Sequence, residues 1–203
     1  MQARATLPMM SDMVQRTTAD ALVVIDLQVD YVEAPGLRDQ RTELVSGVAH
    51  LARRAHEAGV PVVEVRTVHA ADRSTWTLDM LEDGEGLVIA GTPGADRLPE
   101  LDLAPDTVVV KTRDSAFFGT DLLDALGRAR RPALVGVSTE SCVRATAVDA
   151  YAHDLRAVLV ADATASAEES QHRETLERLH AQYRLPVARL ADVEFVTAPA
   201  PEA

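Results

Sequence analysis

A chain of 203 residues with 47% hydrophobic and 26% charged content holds enough apolar material for one full core and is cramped for two, so one domain is expected. Lys and Arg total 20 against 32 Asp and Glu; the formal charge of −12 repels phosphate backbones and anionic bilayers, which argues against nucleic acid or a membrane surface as partner. No run approaches the roughly 20 apolar residues of a membrane span, and MQARATLPMMSDMVQRTTAD has no apolar signal core, so the expected location is the cytoplasm.

Residues 1–19 lack periodicity and are expected to form an N-terminal extension to a domain spanning 20–198. ALVVID then reads as a strand buried on both faces, ending at Asp26. Similar β-branched runs follow at VPVVEV (60–65), TVVVK (107–111), PALVGV (132–137) and RAVLVAD (156–162), with VEFV (193–196) as a weaker sixth. Between them, Leu44, Val48, Leu51 and Ala55, then Leu122, Leu123 and Leu126, then Val143, Ala147, Ala150 and Tyr151, then Leu176 and Leu179 repeat at helical spacing. Strand and helix alternate, which predicts an α/β fold: a doubly wound three-layer α/β/α sandwich around a five- or six-stranded, mainly parallel sheet. Residues 66–106 break the pattern with glycines, prolines, Trp76 and no clear core strand, a length that suits a lid over a site.

In open parallel sheets ligands bind beyond the carboxyl ends of the strands. Asp26 closes the first strand, Lys111 the third, and Cys142 follows the fourth after Ser138-Thr139-Glu140-Ser141. A single cysteine forms no internal disulfide and no cysteine-rich metal site, so Cys142 is either a packing residue or a reactive thiol. Likewise an Asp after a strand can be a cap, and a Lys there can be solvated. The segment from about Glu140 to His153 reads as a helix, placing Cys142 in a first turn whose free N–H groups favour a thiolate. Such a thiol is expected to alkylate faster than a free one.

The three blocks ALVVIDLQVDY, VVVKTRDSAFFGTDL and LVGVSTESCVRATAVDAYAHDLRAVLVADATAS, in this order, resemble the isochorismatase-like cysteine hydrolase superfamily, which includes nicotinamidases and N-carbamoylsarcosine amidases. The resemblance implies that Cys142 is a nucleophile forming an acyl-enzyme, Asp26 its base and Lys111 the charge that steadies both. It also implies a cis peptide between Val137 and Ser138, with the Ser138 and Cys142 N–H groups forming an oxyanion hole. Gln28, Tyr31, His69, Trp76, Phe117, Phe118 and Val137 match substrate-pocket positions; the four aromatics would instead plug the lid in the blander reading. Arg66 could join His69 on a polar or anionic substrate group.

Nicotinamidases of the superfamily hold a metal with an Asp-x-His pattern and a further His. Here the region reads VEVRTVHAADRSTW, with Thr67 at the aspartate's place and no second histidine nearby, so neither metal nor cofactor is expected. The implied function is hydrolysis of a C–N bond in a small amide, ureido compound or lactam, within a homodimer or homotetramer. Isochorismatase-type ether or ester hydrolysis and a catalytically silent binding subunit are the alternatives.

Overall fold

The computed structural model describes residues 13–198. Its centre is a six-stranded, all-parallel sheet built from β2 (Ala21–Ile25), β3 (Val62–Thr67), β4 (Thr107–Lys111), β5 (Pro132–Val137), β6 (Val158–Ala165) and β7 (Val187–Ala188), in the spatial order β4-β3-β2-β5-β6-β7. The chain winds outward from β2 through β3 to β4, returns to β5, and winds the other way. The reversal between β2 and β5 is the switch point where such sheets open a crevice.

Every residue of β2 and of β5 is buried, because helices cover both faces of the sheet. On one face α2 (Arg41–Glu57) lays Leu44, Val48, Leu51, Ala52 and Ala55 against Leu22, Val24, Val62, Val135 and Val160. Burying Val48 and Leu51 stabilises the fold by about 1.5–3 kcal/mol each. On the other face α5 (Arg144–Ala152) and α6 (Glu169–Tyr183) pack Ala147, Ala150, Leu176 and Leu179 on Val23, Ile25, Val65, Val109 and Leu134. Short helices α1 (Val29–Val32), α3 (Leu78–Asp83) and α4 (Leu122–Leu126) lie in the connections.

Two sequence expectations change. VEFV does form a strand, β8 (Val193–Phe195), but it pairs in parallel with β1 (Thr17–Ala19) in a separate two-stranded sheet, and the sixth strand of the main sheet is Val187–Ala188. Residues 66–106 are no free lid either: Val88, Leu98, Leu101 and Leu103 are buried, and the last three belong to the core over α2. Of the expected N-terminal extension, residues 1–12 lie outside the described residues, while Met13 is buried and Thr17–Ala19 is in the strand pair. Among the described residues no helix is long and apolar enough to cross a membrane.

Candidate active site

Three neighbouring strands deliver Asp26, Thr67 and Lys111. The β3 register places Thr67 opposite Lys111, and the Asp26 N–H continues the ladder onto Val65 O. Strands about 4.8 Å apart leave β2 and β4 about two spacings from each other, a gap that only a long side chain crosses. Lys111 crosses it over Thr67: its Nζ lies 2.8 Å from Asp26 Oδ2 and donates to Thr67 Oγ1 at 2.7 Å. Asp26 turns into the site because its φ of 53° departs from the strand, a left-handed conformation that Asp tolerates better than most residues. Gly136, opposite Ile25, lets β5 come close here; at its φ of 114° a Cβ would sit 2.0 Å from Ile25 O.

The fourth element is the turn after β5. The Val137–Ser138 peptide is cis, and a π-helical turn, Thr139–Val143, carries the nucleophile candidate into α5. Ser138 O accepts from Ser141 N–H and Val143 N–H, both at 3.2 Å, passing over Cys142. Cys142 thus sits in a widened turn ahead of the α-helix rather than in its first α-turn. Behind it, Thr139 Oγ1 lies 2.9 Å from His172 Nδ1, and the Ser166 hydroxyl is bonded to Glu140. Lys111 Nζ lies 3.3 Å from Cys142 Sγ, which brings carboxylate, ammonium and sulfur together.

All three groups are shut away from solvent, with Asp26 at 0%, Lys111 at 2% and Cys142 at 7% exposure. Burial favours the neutral Lys111 amine, but the Asp26 carboxylate and the Cys142 sulfur outweigh it, and the ammonium is held above its ordinary range. For Cys142, burial and then the Asp26 charge push the thiol up to about 12, against a weaker downward pull from Lys111. The proton therefore rests on sulfur at neutral pH. This corrects the expected resting thiolate: a buried turn beside a carboxylate overrides a helix end.

The Isochorismatase domain family matches residues 20–192. The chain belongs to this family. A phenazine biosynthesis protein of Pseudomonas aeruginosa is 37% identical over 161 residues, 77% of this chain and 76% of its own length. A probable inactive nicotinamidase of Arabidopsis thaliana is 34% identical over 173 residues, 79% of this chain and 87% of its own. The crystal structure of the nicotinamidase/pyrazinamidase of Bacillus subtilis superposes with a TM-score of 0.73 at 28% identity, covering 83% of this chain and 98% of that one. The isochorismatase-like family is a hydrolase family that includes amidases.

Beside the triad of this isochorismatase-family chain, the stretch that ends β3 ties Thr67 and His69 to protein atoms. Thr67 is engaged with Asp26 and Lys111, and His69 Nδ1 lies 2.8 Å from Thr75 O. A carbonyl only accepts, so Nδ1 carries the proton, and burial lowers the imidazole's basicity against the upward pull of that hydrogen bond. No group of three or more His, Cys, Asp or Glu is arranged to hold an ion among the described residues.

The expected substrate wall thins considerably. Gln28 is fully buried and spent on backbone: Oε1 accepts from Thr67 N–H, and Nε2 donates to Thr67 O and Ala95 O, each at 2.8 Å. It clamps β2 to β3 and to the following loop. Val137 is 1% exposed with its side chain in the core, so it contributes only its peptide bond. Phe117 stacks on His153 at 5.1 Å, past the far end of the helix that begins near Cys142, and Phe118 is 66% exposed. Arg66 extends with Glu64 from the face of β3 opposite to Thr67, because alternate side chains leave a strand on opposite sides.

Of the expected wall Tyr31, His69 and Trp76 are left, and of these Tyr31 is the one that Asp26 and Cys142 act on. Burial, then the Asp26 charge, hold the Tyr31 phenol far above its ordinary range, so it stays a protonated donor. Trp76 donates from Nε1 to Ala70 O and lies under Arg73, pinning the loop beside His69. Sequence reasoning missed Thr67 as part of the site, and it missed Arg113, whose carbonyl accepts from Lys111 Nζ at 3.1 Å. The sheet register Thr67↔Lys111 is the signal that finds the first.

Proposed function

We propose that this protein is a cysteine-dependent hydrolase that opens a C–N bond in a small amide, ureido compound or lactam through a covalent acyl-enzyme. The observation that carries the reading is Lys111 Nζ standing 2.8 Å from Asp26 Oδ2 and 3.3 Å from Cys142 Sγ in a buried site. A sulfur with its proton in place, beside a carboxylate held by an ammonium, suits attack in which the proton leaves as the C–S bond forms.

In that step the Cys142 proton passes to Asp26 and sulfur adds to the substrate carbonyl. The Ser138 and Cys142 N–H groups of the turn are the candidate donors to the resulting oxyanion. Asp26 then delivers the proton to the leaving nitrogen, the C–N bond breaks, and ammonia or an amine departs. Water, deprotonated by Asp26, attacks the thioester and releases the acid with the free thiol. Lys111 keeps the carboxylate ready for both transfers, and no step needs a metal.

Turnover of a panel of small amides by the wild type, Cys142→Ala and Asp26→Asn tests the covalent route. Loss of activity in both variants is expected; full turnover by Cys142→Ala with none by Asp26→Asn would favour acid-catalysed ether or ester hydrolysis instead.

A further inference from the structure

We propose that His172 is a positioning residue: it takes the Thr139 hydroxyl proton and so fixes the turn that presents the Cys142 thiol and the Ser138 and Cys142 N–H groups. This rests on Cys142 as the nucleophile and on that turn as the oxyanion hole. Thr139 opens the turn Thr139–Val143 and lies between the two residues whose N–H groups are the candidate donors. Its hydroxyl is 2.9 Å from Nδ1 of His172, in the first turn of α6, and both residues are buried. Among the described residues, Nδ1 is the one acceptor that this hydroxyl meets.

The rest of the ring assigns the roles in this bond. The imidazole also bonds the Ala161 carbonyl, which can only accept, so the ring proton sits on that side, on Nε2, and Nδ1 keeps a lone pair for Thr139. A neutral imidazole has one donor and one acceptor; His172 spends the first on β6 and the second on the turn. The next residue of the turn is tied as well, since Glu140 is bonded to the Ser166 hydroxyl just past the end of β6. Two successive side chains thus hold the turn, one to α6 and one to the end of β6.

Burial holds the imidazole below its ordinary range, against the upward pull of Glu169 on its own helix, of Glu140 on the turn and of the Ala161 bond. The cavity it borders adds Glu43 of α2, Asp162 of β6, Arg173 and Arg189, so charges of both signs face it. His172 is therefore neutral at neutral pH. When it takes a proton, Nδ1 becomes a donor, the Thr139 hydroxyl loses its acceptor, and the turn loses its tie to α6. Conversely, a hydrogen bond donated to the neutral ring opposes its protonation, so removing the Thr139 hydroxyl raises the pH at which His172 titrates. A residue that only fills space shows neither effect.

The test compares the wild type with Thr139→Val, Thr139→Ser and His172→Asn, the last of which keeps an acceptor at the place of Nδ1 and does not titrate. Three quantities are read: the titration of His172 by NMR of its imidazole, the affinity of Cys142 for propanal, and kcat and KM on any amide the wild type hydrolyses. In the aldehyde adduct sulfur bonds the carbonyl carbon, the thiol proton ends on the oxygen, and that oxygen takes the place of the oxyanion. Thr139→Val is expected to titrate His172 at higher pH, to bind propanal about tenfold more weakly, and to lose about tenfold in kcat with KM within about twofold. Thr139→Ser, which restores the hydroxyl, is expected to lie near the wild type in all three. As pH falls below the ordinary imidazole range, His172→Asn is expected to retain kcat that the wild type loses. An unmoved His172 titration or an unchanged propanal affinity in Thr139→Val would overturn the proposal, as would an acid-side profile that is the same in His172→Asn. Titration and propanal binding need no turnover, so a wild type that hydrolyses no amide would count against the amidase reading alone, while those two measurements would still decide the role of His172.

Discussion

Replacing Asp26 by Asn keeps the size of a fully buried side chain and removes its charge. In the wild type the thiol is raised from an ordinary 9.0 to about 12, which lowers its thiolate fraction at neutral pH by about a thousandfold. Alkylation of native Cys142 by iodoacetamide at pH 7.5 should therefore run well below that of glutathione. In Asp26→Asn the carboxylate's contribution disappears, leaving burial opposed by Lys111, so alkylation should speed up by about tenfold or more. Amide turnover should meanwhile fall by about 10²–10⁴, the usual worth of a positioned base. Quenched time courses read by intact mass give the alkylation rates, with glutathione as the internal reference. A wild type that alkylates faster than glutathione, or an Asn variant that alkylates more slowly than the wild type, would refute the placement of the proton on sulfur.

Three further outcomes follow from the same geometry. Lys111→Met leaves the Asp26 carboxylate buried without its partner, so urea unfolding should show a loss of about 3–5 kcal/mol; an unchanged midpoint would mean that the charge finds another partner or water. Gln28→Ala removes three buried hydrogen bonds to backbone and should cost about 2–4 kcal/mol while leaving the ranking of substrates as it was, whereas altered selectivity with intact stability would restore Gln28 to the pocket. Because the folded thiol ionises above its unfolded counterpart, the stability it contributes is fully present below pH 9 and is lost as pH rises toward 12. Urea unfolding of the wild type and Cys142→Ala across that window should show the wild type falling more steeply, and parallel curves would sink the point.

The strands that matter were legible because each is a short β-branched run, buried on both faces in β2 and β5 and on one face in the edge strand β4, and their ends lead to Asp26, Lys111 and the turn that carries Cys142. One strand escaped and one was expected in the wrong sheet, for opposite reasons. Val187–Ala188 is two residues long and carries no pattern, while VEFV has a strand's composition but its sheet is set by a partner, Thr17–Ala19, in a segment without periodicity. The pocket was harder to read than the triad. Nothing local distinguishes a glutamine that meets a ligand from one that ties two strand ends together, and Gln28 is the latter. Phe117 and Phe118 follow Lys111 closely in sequence, yet one packs on His153 and the other is exposed. The thiol's acidity was misread for a related reason: helix position is visible in a sequence, whereas the widened turn and the nearby carboxylate arise from tertiary contacts. Thr67 looked like the loss of a metal ligand, and only the register across β3 and β4 gives it a role of its own.

The covalent route is tested most directly by rapid acid quench of the wild type with a panel of small amides, followed by intact mass and peptide mapping. A mass increase equal to the acyl part of the substrate, located on the peptide that carries Cys142 and absent from Cys142→Ala, is the expected result. Steady hydrolysis of a C–N bond with no adduct at any quench time, and undiminished in Cys142→Ala, would contradict it.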